Sequence, residues 1–206
     1  MNGWITVDPF RFMKLRETTV EKEFLVKEEI VRIIAKDITI PRLAQVRDIY
    51  LFCALTGPAF TDVSNLRHEH IIKDNNGDMW IRKARQKTKN MCNIPLLEIP
   101  LALIEKYRNN PVCLKHGTVL PLITNQRLNT YLKELADICG IEKYLTSHTA
   151  RYSFATLSLT SGISIESVAK MLGHANSRMT QHYAKVLDTK INDEMNKFRG
   201  KFVATI

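Results

Sequence analysis

The sequence predicts an α+β fold that is mostly helical, with about seven or eight helices and one small antiparallel sheet of three strands. Apolar residues recur at the spacing of an amphipathic helix in most segments of the chain. The stretch that follows His68 instead alternates polar and apolar residues and carries hairpin signals. At 206 residues, the chain suits one domain with enough length for a hydrophobic core.

The first predicted helices precede the sheet. The first of them is predicted from four apolar residues at helical spacing, Val26, Ile30, Ile33 and Ile34. Pro41 suits the first turn of a second helix, and the nearly apolar second half of that helix predicts burial up to Gly57. A short third helix is predicted over the segment FTDVSNL.

The predicted sheet consists of the segments HIIKD, MWIRKARQ and CNIPLL. The pair Asn76-Gly77 marks a tight hairpin turn between the first two strands. The segment QKTKNM forms a longer turn before the third strand. The alternation already begins at His68, so His68 and His70 are both predicted to lie on the first strand.

The rest of the chain is predicted to be helical, apart from one loop. The segment EIPLALIEKYRNN forms a helix and PVCLKHGTVLPLI the loop after it. Thr124 caps the long helix NQRLNTYLKELADICG, and Thr146 precedes another helix in a capping position. Ser164 lies near the cap of the short helix ISIESVAKMLG. The last helix, TKINDEMNKFRGKF, has an apolar stripe that must be buried on its own domain or on another protomer.

Charge and composition favour a polyanionic partner inside the cell. The formal net charge is +9 and the pI is near 9.4, while the 45% of hydrophobic residues is ordinary for a globular protein. No segment has the length of a membrane span and no signal peptide is recognisable, so we expect a cytoplasmic protein. The four cysteines are scattered without a Cys-x-x-Cys pair, which predicts buried thiols and no zinc site; they are Cys53, Cys92, Cys113 and Cys139.

One stretch near the C-terminus concentrates side chains that suit chemistry at a phosphodiester. His148 and Arg151 are three residues apart and share a helix face. His174 follows a glycine that ends a helix, and Tyr183 comes nine residues later. Arginine grips phosphate oxygens with a planar fork, imidazole moves protons near neutral pH, and a tyrosine hydroxyl can act as a nucleophile.

This stretch resembles the C-terminal signature of the tyrosine recombinase (phage-type integrase) family. The shared pattern is His-x-x-Arg, then Leu-Gly-His, then Tyr, with Phe-Ala-Thr after the arginine. The resemblance implies that Tyr183 is the nucleophile that joins to a DNA 3′-phosphate. It implies that His148, Arg151 and His174 bind and activate that phosphate. It extends from about Leu25 to Asp188.

The chain departs from the family at the first of its two phosphate-gripping arginines. The usual Thr-Gly-Leu-Arg reads Thr-Gly-Pro-Ala here, so Ala59 stands where that arginine belongs, while the acidic residue three positions on is kept as Asp62. A subgroup of integrases from conjugative transposons resembles this chain in having a small residue there. We therefore expect a replacement guanidinium from elsewhere.

The family places a catalytic lysine in the second hairpin, which here carries a basic cluster: Arg82, Lys83, Arg85, Lys87 and Lys89. Lys87 matches that position, with Lys89 as the alternative. Without the resemblance, such a run equally suits a solvated sheet edge. Arg85 lies two residues before Lys87, so on one strand both side chains would share a face, and we expect Arg85 to converge with Arg151. His68 and His70 lack a third ligand nearby and are interpreted as surface or DNA-adjacent residues, not as a metal site.

The resemblance implies three regions. Residues 1–24 form an extended arm or linker from upstream DNA-binding domains, residues 25–188 the catalytic domain, and residues 189–206 a C-terminal helix or tail. Family members carry DNA-clamping domains upstream, and we expect that such domains have been removed from this chain.

The implied function is site-specific DNA recombination, the integration or excision of a mobile element through a covalent 3′-phosphotyrosyl intermediate. The implied partner is double-stranded DNA, with a homotetramer at synapsis and with no metal, membrane or small-molecule cofactor. Two alternatives remain. Ala59 favours a catalytically decayed DNA-binding regulator of the same fold, and a type IB topoisomerase would use the same covalent chemistry.

Overall fold

The computed structural model of the chain describes residues 23–184 together with residues 195 and 196. Within these residues its elements are, in chain order, α1 (Lys27–Ala35), α2 (Pro41–Thr56), α3 (Phe60–Ser64), β1 (Ile71–Lys73), β2 (Met79–Ala84), β3 (Met91–Pro95), α4 (Glu98–Tyr107), α5 (Pro111–His116), α6 (Asn125–Ile138), α7 (Ser147–Thr160), α8 (Ile165–Leu172) and α9 (Arg178–Ala184). The predicted mainly helical α+β fold with a three-stranded antiparallel sheet is confirmed.

Helix α2 forms the centre of the fold. Its apolar residues face all sides, and α4, α6 and α7 pack around it. Tyr50 and Phe52 are among its fully buried side chains. Pro41 occupies the first turn as predicted, and Gly57 ends the helix with a φ of 80°, a left-handed conformation that favours glycine.

The sheet has the order β1-β2-β3, with both pairs antiparallel. Asp74 closes the first hairpin, because its carboxylate accepts hydrogen bonds from the backbone N–H groups of Asn76 and Asp78. Ile81, Cys92 and Ile94 are buried on one face. Strand β3 packs against α8, so the sheet lies beside the Leu-Gly-His segment.

Helix α5 corrects the sequence prediction, which placed a loop there. Asn110 caps it, since the side-chain oxygen accepts hydrogen bonds from the backbone N–H groups of Val112 and Cys113. Pro111 occupies the first turn and Gly117 ends the helix in the left-handed region. The Asn-Pro pair therefore starts a helix here and does not merely end the preceding one.

The first strand is also shorter than predicted. His68 and His70 lie in a 3₁₀ turn, and β1 begins only at Ile71. The turn forms because the His70 Nδ1 atom accepts a hydrogen bond from the backbone N–H of Arg67 at 3.0 Å. This local bond competes with the strand ladder.

The four cysteines are buried free thiols, which confirms the prediction that they are buried. In the described part of the chain, none of the helices combines the length and apolar content that crossing a bilayer needs. Over the same residues, no three histidine, cysteine or acidic side chains come together as a metal site would require. The predicted N-terminal arm lies outside the described residues except for residues 23 and 24. The predicted last helix also lies outside them, except for Met195 and Asn196, which are helical.

Candidate active site

The start of α7 places His148 and Arg151 in the first two helical turns. Thr146 and Thr149 form a capping box, in which each hydroxyl accepts a hydrogen bond from the other residue's backbone N–H. His148 is exposed at this end of the helix, whereas Arg151 points inward and is 4% exposed.

Arg151 joins three segments of the chain. Its Nη1 donates to the Gly57 carbonyl at 2.7 Å, at the end of α2, and its Nη2 donates to the Leu172 carbonyl at 2.7 Å, at the end of α8. Nη2 also lies 3.1 Å from the His174 Nε2 atom. Burial and the nearby Arg85 guanidinium lower the pKa of Arg151, but an arginine remains charged in a protein. The result is a fixed cation in a largely buried position.

His174 follows Gly173 and lies between Arg151 and α9. Its Nδ1 is 2.8 Å from the Thr180 Oγ1 atom. Burial, followed by the positive charges of Arg151 and Arg85, lowers the pKa of His174 to about 4. This imidazole is therefore neutral at neutral pH and can accept a proton.

Tyr183 lies on α9, which packs against α7 and α8 of the same chain, and it is 6% exposed. Its ring is stacked on the His174 ring, with a centroid distance of 6.2 Å and an interplanar angle of 8°. Tyr152 packs on it at 4.7 Å and also contacts His148 at 4.8 Å. Burial lowers the pKa of Arg151 and the nearby Tyr183 phenol opposes that shift, so the phenol lies near the guanidinium. The structure thus brings Tyr183, Arg151 and His174 together.

Arg85 and Lys87 lie in the turn between β2 and β3, because β2 ends at Ala84. The prediction that they share one face of a strand is therefore wrong. The Arg85 backbone N–H donates to the Asn90 carbonyl, and Lys89 adopts a φ of 60° to close the turn. Tertiary packing, not strand alternation, sets where these side chains point.

The Arg85 side chain nevertheless points inward and is 11% exposed. Its Nε lies 3.5 Å from the Asp62 carboxylate, and within the described residues this buried Nε donates no hydrogen bond. Asp62 in turn accepts a hydrogen bond from the Gln86 backbone N–H at 2.7 Å, which fixes the turn against α3. Arg85 lowers the pKa values of both Arg151 and His174, so its charge faces the same site.

Lys87 is exposed in the turn. The neighbouring Thr88 and Asn90 side chains each lie 3.4 Å from the Gly173 carbonyl, which they contact as donors. These contacts hold the turn beside the Leu-Gly-His segment. Ala59 occupies the position just before α3, two residues after the Gly57 carbonyl that Arg151 contacts.

Gly173 allows a close approach between the hairpin and the Leu-Gly-His segment. An added Cβ would lie 2.5 Å from the Arg85 Cδ and 2.6 Å from the Cys92 Sγ, and φ is +62°. Gly162 also has a positive φ, of +88°, but nothing lies within 4 Å of its Cβ position. Comparing alanine substitutions at these two glycines therefore separates the energetic cost of backbone strain from that of a steric clash.

We expect Gly173→Ala to destabilise the fold by more than Gly162→Ala. Left-handed backbone costs each alanine ~1–2 kcal/mol, and Gly173→Ala adds an overpacking cost of ~1–3 kcal/mol. Urea unfolding midpoints of the two variants measure the difference. Equal midpoints would mean that the hairpin does not approach Gly173 this closely.

These elements match a known family. A family model described as the phage integrase family matches residues 23–190 of the chain. The chain belongs to this family. The resemblance that rests on the His-x-x-Arg, Leu-Gly-His and Tyr pattern is thereby confirmed at the level of the family.

Named relatives and solved structures of the integrase fold agree with this assignment. A tyrosine recombinase XerD of Staphylococcus haemolyticus is 30% identical over 188 residues, which cover 84% of this chain and 61% of XerD. Transposase B from transposon Tn554 of Staphylococcus aureus is 26% identical over 161 residues, covering 71% of this chain and 25% of the transposase. The structure of a lambda integrase(75-356) dimer bound to a COC′ core site has a TM-score of 0.68 at 17% identity, covering 88% of this chain and 65% of that one. The chain thus spans less than two thirds of the length of these relatives.

Two further side chains of the candidate site, Tyr152 and Thr180, were not predicted from the sequence to be part of it. Tyr152 packs between His148 and Tyr183, although the sequence offers only its helical spacing of four from His148 as a signal. Thr180 contacts His174, and its position one helical turn before Tyr183 is the corresponding signal. Neither signal identifies a partner without the packing of α9.

Proposed function

We propose that this chain is the catalytic part of a site-specific DNA recombinase that cleaves and rejoins duplex DNA through a covalent bond to Tyr183. The observation that carries this proposal is the meeting of the Tyr183 phenol, the Arg151 guanidinium and the neutral His174 imidazole. Relatives named tyrosine recombinase and transposase support it. The proposed biological role is the integration or excision of a mobile element.

In the proposed reaction, the Tyr183 oxygen attacks the phosphorus, and the bond from phosphorus to the 5′ oxygen breaks. The phenol proton passes to the His148 imidazole, and Lys87 gives a proton to the leaving 5′ oxygen. The products are a 3′-phosphotyrosyl bond and a free 5′-hydroxyl. Attack by a 5′-hydroxyl of another strand reverses these steps, so rejoining needs no external energy source.

Arg151 supplies the main stabilisation of charge on the non-bridging oxygens. It is fixed by two carbonyls before DNA arrives, so little reorganisation is needed when charge develops. Its buried position strengthens that interaction relative to one in water. His148, exposed at the start of α7, is assigned a further hydrogen bond to the phosphate.

Lys87 is proposed as the general acid because its turn lies beside the Gly173 carbonyl and its own side chain is exposed. An exposed side chain on such a turn can move toward a bound phosphate. Lys89, two residues further along the same turn, remains the alternative.

Arg85 is proposed to replace the arginine missing at Ala59. Its charge faces Arg151 and His174, and Asp62 anchors it from the helix that begins after Ala59. Two guanidiniums that repel each other in a half-buried space favour an anion between them. The buried Arg85 Nε without a hydrogen bond in the described chain is a donor that a phosphate oxygen can satisfy.

Duplex DNA is the proposed partner, with four copies of the chain assembled at synapsis. The net charge of +9 supports a polyanionic partner, and Arg82 is exposed on the same hairpin as Lys87. No metal or cofactor takes part in the proposed steps.

Replacing both Arg82 and Lys83 by alanine should flatten the salt dependence of DNA binding. Each lost phosphate contact lowers the slope of log affinity against log salt by ~0.9 for duplex DNA. Fluorescence anisotropy over a salt series measures the slope. Arg108→Ala is the control, since Arg108 pairs with Glu105 on α4 and should leave the slope unchanged. An unchanged slope in the double variant would place these residues away from DNA.

A covalent adduct test distinguishes the candidate functions. The full chain is incubated with a library of randomised duplexes that each carry one nick, and denaturing gels reveal DNA that stays attached to protein. We expect an adduct. Binding without an adduct would favour the decayed regulator that Ala59 suggests. An adduct together with relaxation of supercoiled plasmids that lack paired sites would favour a type IB topoisomerase.

A further inference from the structure

Thr180 holds the one imidazole nitrogen of His174 that faces away from Arg151. Its Oγ1 lies 2.8 Å from the His174 Nδ1, and the Thr180 side chain is fully buried at 0% exposure. On the other side of the ring, the His174 Nε2 lies 3.1 Å from the Arg151 Nη2. Both ring nitrogens of His174 therefore have assigned neighbours.

The identity of these neighbours determines the tautomer. A guanidinium has donors and no acceptor, so the His174 Nε2 must be the acceptor in its contact with Arg151. The ring is neutral at neutral pH because its pKa is lowered to about 4, so its proton resides on Nδ1. That proton is donated to the Thr180 hydroxyl.

This tautomer cannot act on a phosphate through Nε2 as a donor. When a phosphodiester occupies the Arg151 donors, the His174 Nε2 faces an oxygen, which accepts hydrogen bonds and donates none. A hydroxyl both accepts and donates, so Thr180 can accept from an Nδ1–H or donate to a bare Nδ1. A backbone carbonyl in its place would permit only the first arrangement.

Thr180 also belongs to the helix that carries the nucleophile. It lies three residues before Tyr183 on α9, so the two side chains share a helix face. The His174 ring is stacked on the Tyr183 ring at 6.2 Å. One helix therefore positions both the phenol and the imidazole that acts beside it.

We propose that Thr180 is a positioning residue whose hydroxyl orients His174 and lets the ring exchange its Nδ1–H tautomer for the Nε2–H tautomer when a phosphate binds. In this exchange, water takes the proton from Nδ1 and supplies one to Nε2, so the net charge of the ring does not change. This inference rests on the proposed phosphate chemistry of the site. Its first part, the orientation of His174 by Thr180 as the Nδ1–H tautomer, concerns the chain without DNA.

Nitrogen-15 NMR of the histidine rings tests the first part on the full chain without DNA. We expect the Nδ1–H tautomer at His174 in the wild type and in Thr180→Ser. Thr180→Val should give a mixture of tautomers, because Arg151 still favours Nδ1–H but the buried Nδ1 proton then has no acceptor. Thr56→Val is the matched control, because Thr56 is equally buried and its hydroxyl donates to the Phe52 carbonyl, not to His174. An Nε2–H tautomer in the wild type, or the same tautomer in Thr180→Val as in Thr180→Ser, would overturn the proposal.

Titration with inorganic phosphate tests the exchange. We expect the His174 signal to move from the Nδ1–H to the Nε2–H tautomer in the wild type and in Thr180→Ser. A ring that keeps its Nδ1–H tautomer at saturating phosphate would show that Thr180 only locks the ring. Failure of phosphate to bind would instead count against the phosphate site of the proposed function and remove the basis for the exchange.

Cleavage kinetics separate positioning from a loss of folding. At saturating nicked DNA, Thr180→Val should lower the rate of adduct formation by about 10–100-fold, the range that the loss of an orienting partner has at metal-binding histidines. The DNA dissociation constant should not change, and Thr180→Ser should restore most of the rate. Equal losses in the serine and valine variants would indicate a packing role alone. An inactive wild type with the expected tautomers would refute the proposed function and leave the orienting contact intact.

Discussion

Replacing Tyr183 by phenylalanine is expected to abolish the covalent protein–DNA adduct. The change removes only the hydroxyl that is proposed to attack the phosphorus, so no covalent bond can form. The ring contacts with Tyr152 and His174 remain, and Arg151 keeps its two carbonyl partners, so the fold and the DNA affinity should be retained. Adduct formation on nicked duplexes and DNA binding by anisotropy measure the two effects.

Tyr144→Phe is the matched control for this experiment. Tyr144 is 54% exposed and packs against the Lys133 side chain, so the loss of its hydroxyl should leave adduct formation at the wild-type level. An adduct at the wild-type level in Tyr183→Phe would assign the nucleophile to another residue.

Replacing Arg85 by alanine is expected to lower the rate of adduct formation by ~10²–10³ at saturating DNA, the usual effect of losing one positioned donor to a developing oxyanion. The reason is that Arg85 is proposed to supply the guanidinium that Ala59 does not. Single-turnover cleavage of nicked duplexes measures the rate. Arg82→Ala is the control on the same hairpin, since Arg82 is exposed and should affect binding more than rate.

Arg85→Ala leaves the buried Asp62 without its ion pair and so could also weaken the fold. A second variant distinguishes a loss of catalysis from a loss of folding. Adding Ala59→Arg places a guanidinium at the start of the helix that contains Asp62. The double variant should regain part of the lost rate. A folded Arg85→Ala variant with a near-normal rate would show that Arg85 does not replace the missing arginine.

Much of the site was predictable because its residues lie on helices whose starts are marked in the sequence. Thr124, Thr146 and Ser164 cap their helices as the patterns indicate. The cap at Thr146 fixes the first turn of α7, and that turn determines that His148 is exposed and Arg151 buried. Local signals were sufficient there.

The hairpin was less predictable because its ends depend on tertiary contacts. The predicted strand MWIRKARQ continues past Ala84, yet pairing with β3 stops there. The bond between Asp62 and the Gln86 backbone and the contacts to the Gly173 carbonyl then determine the path of the turn. Arg85 reaches the site by that path and not through strand geometry.

The contact of Thr180 with His174 could not be predicted from the sequence, for a related reason. It requires the loop after α8 to fold back on α9, and the spacing of the two residues does not encode that geometry. The start of α5 illustrates a different failure, in which Asn110 and Pro111 suit both the end of one helix and the start of the next.

Identification of the amino acid that carries DNA after cleavage tests the central claim most directly. The adduct is digested with nuclease and trypsin, and tandem mass spectrometry locates the residual nucleotide. Cleavage after Arg178 and Lys185 releases the peptide MTQHYAK, in which Tyr183 is the only tyrosine. We predict a nucleotide joined through its 3′-phosphate to Tyr183. A nucleotide on Tyr152, on Tyr144 or on any residue other than Tyr183 would contradict the proposed mechanism.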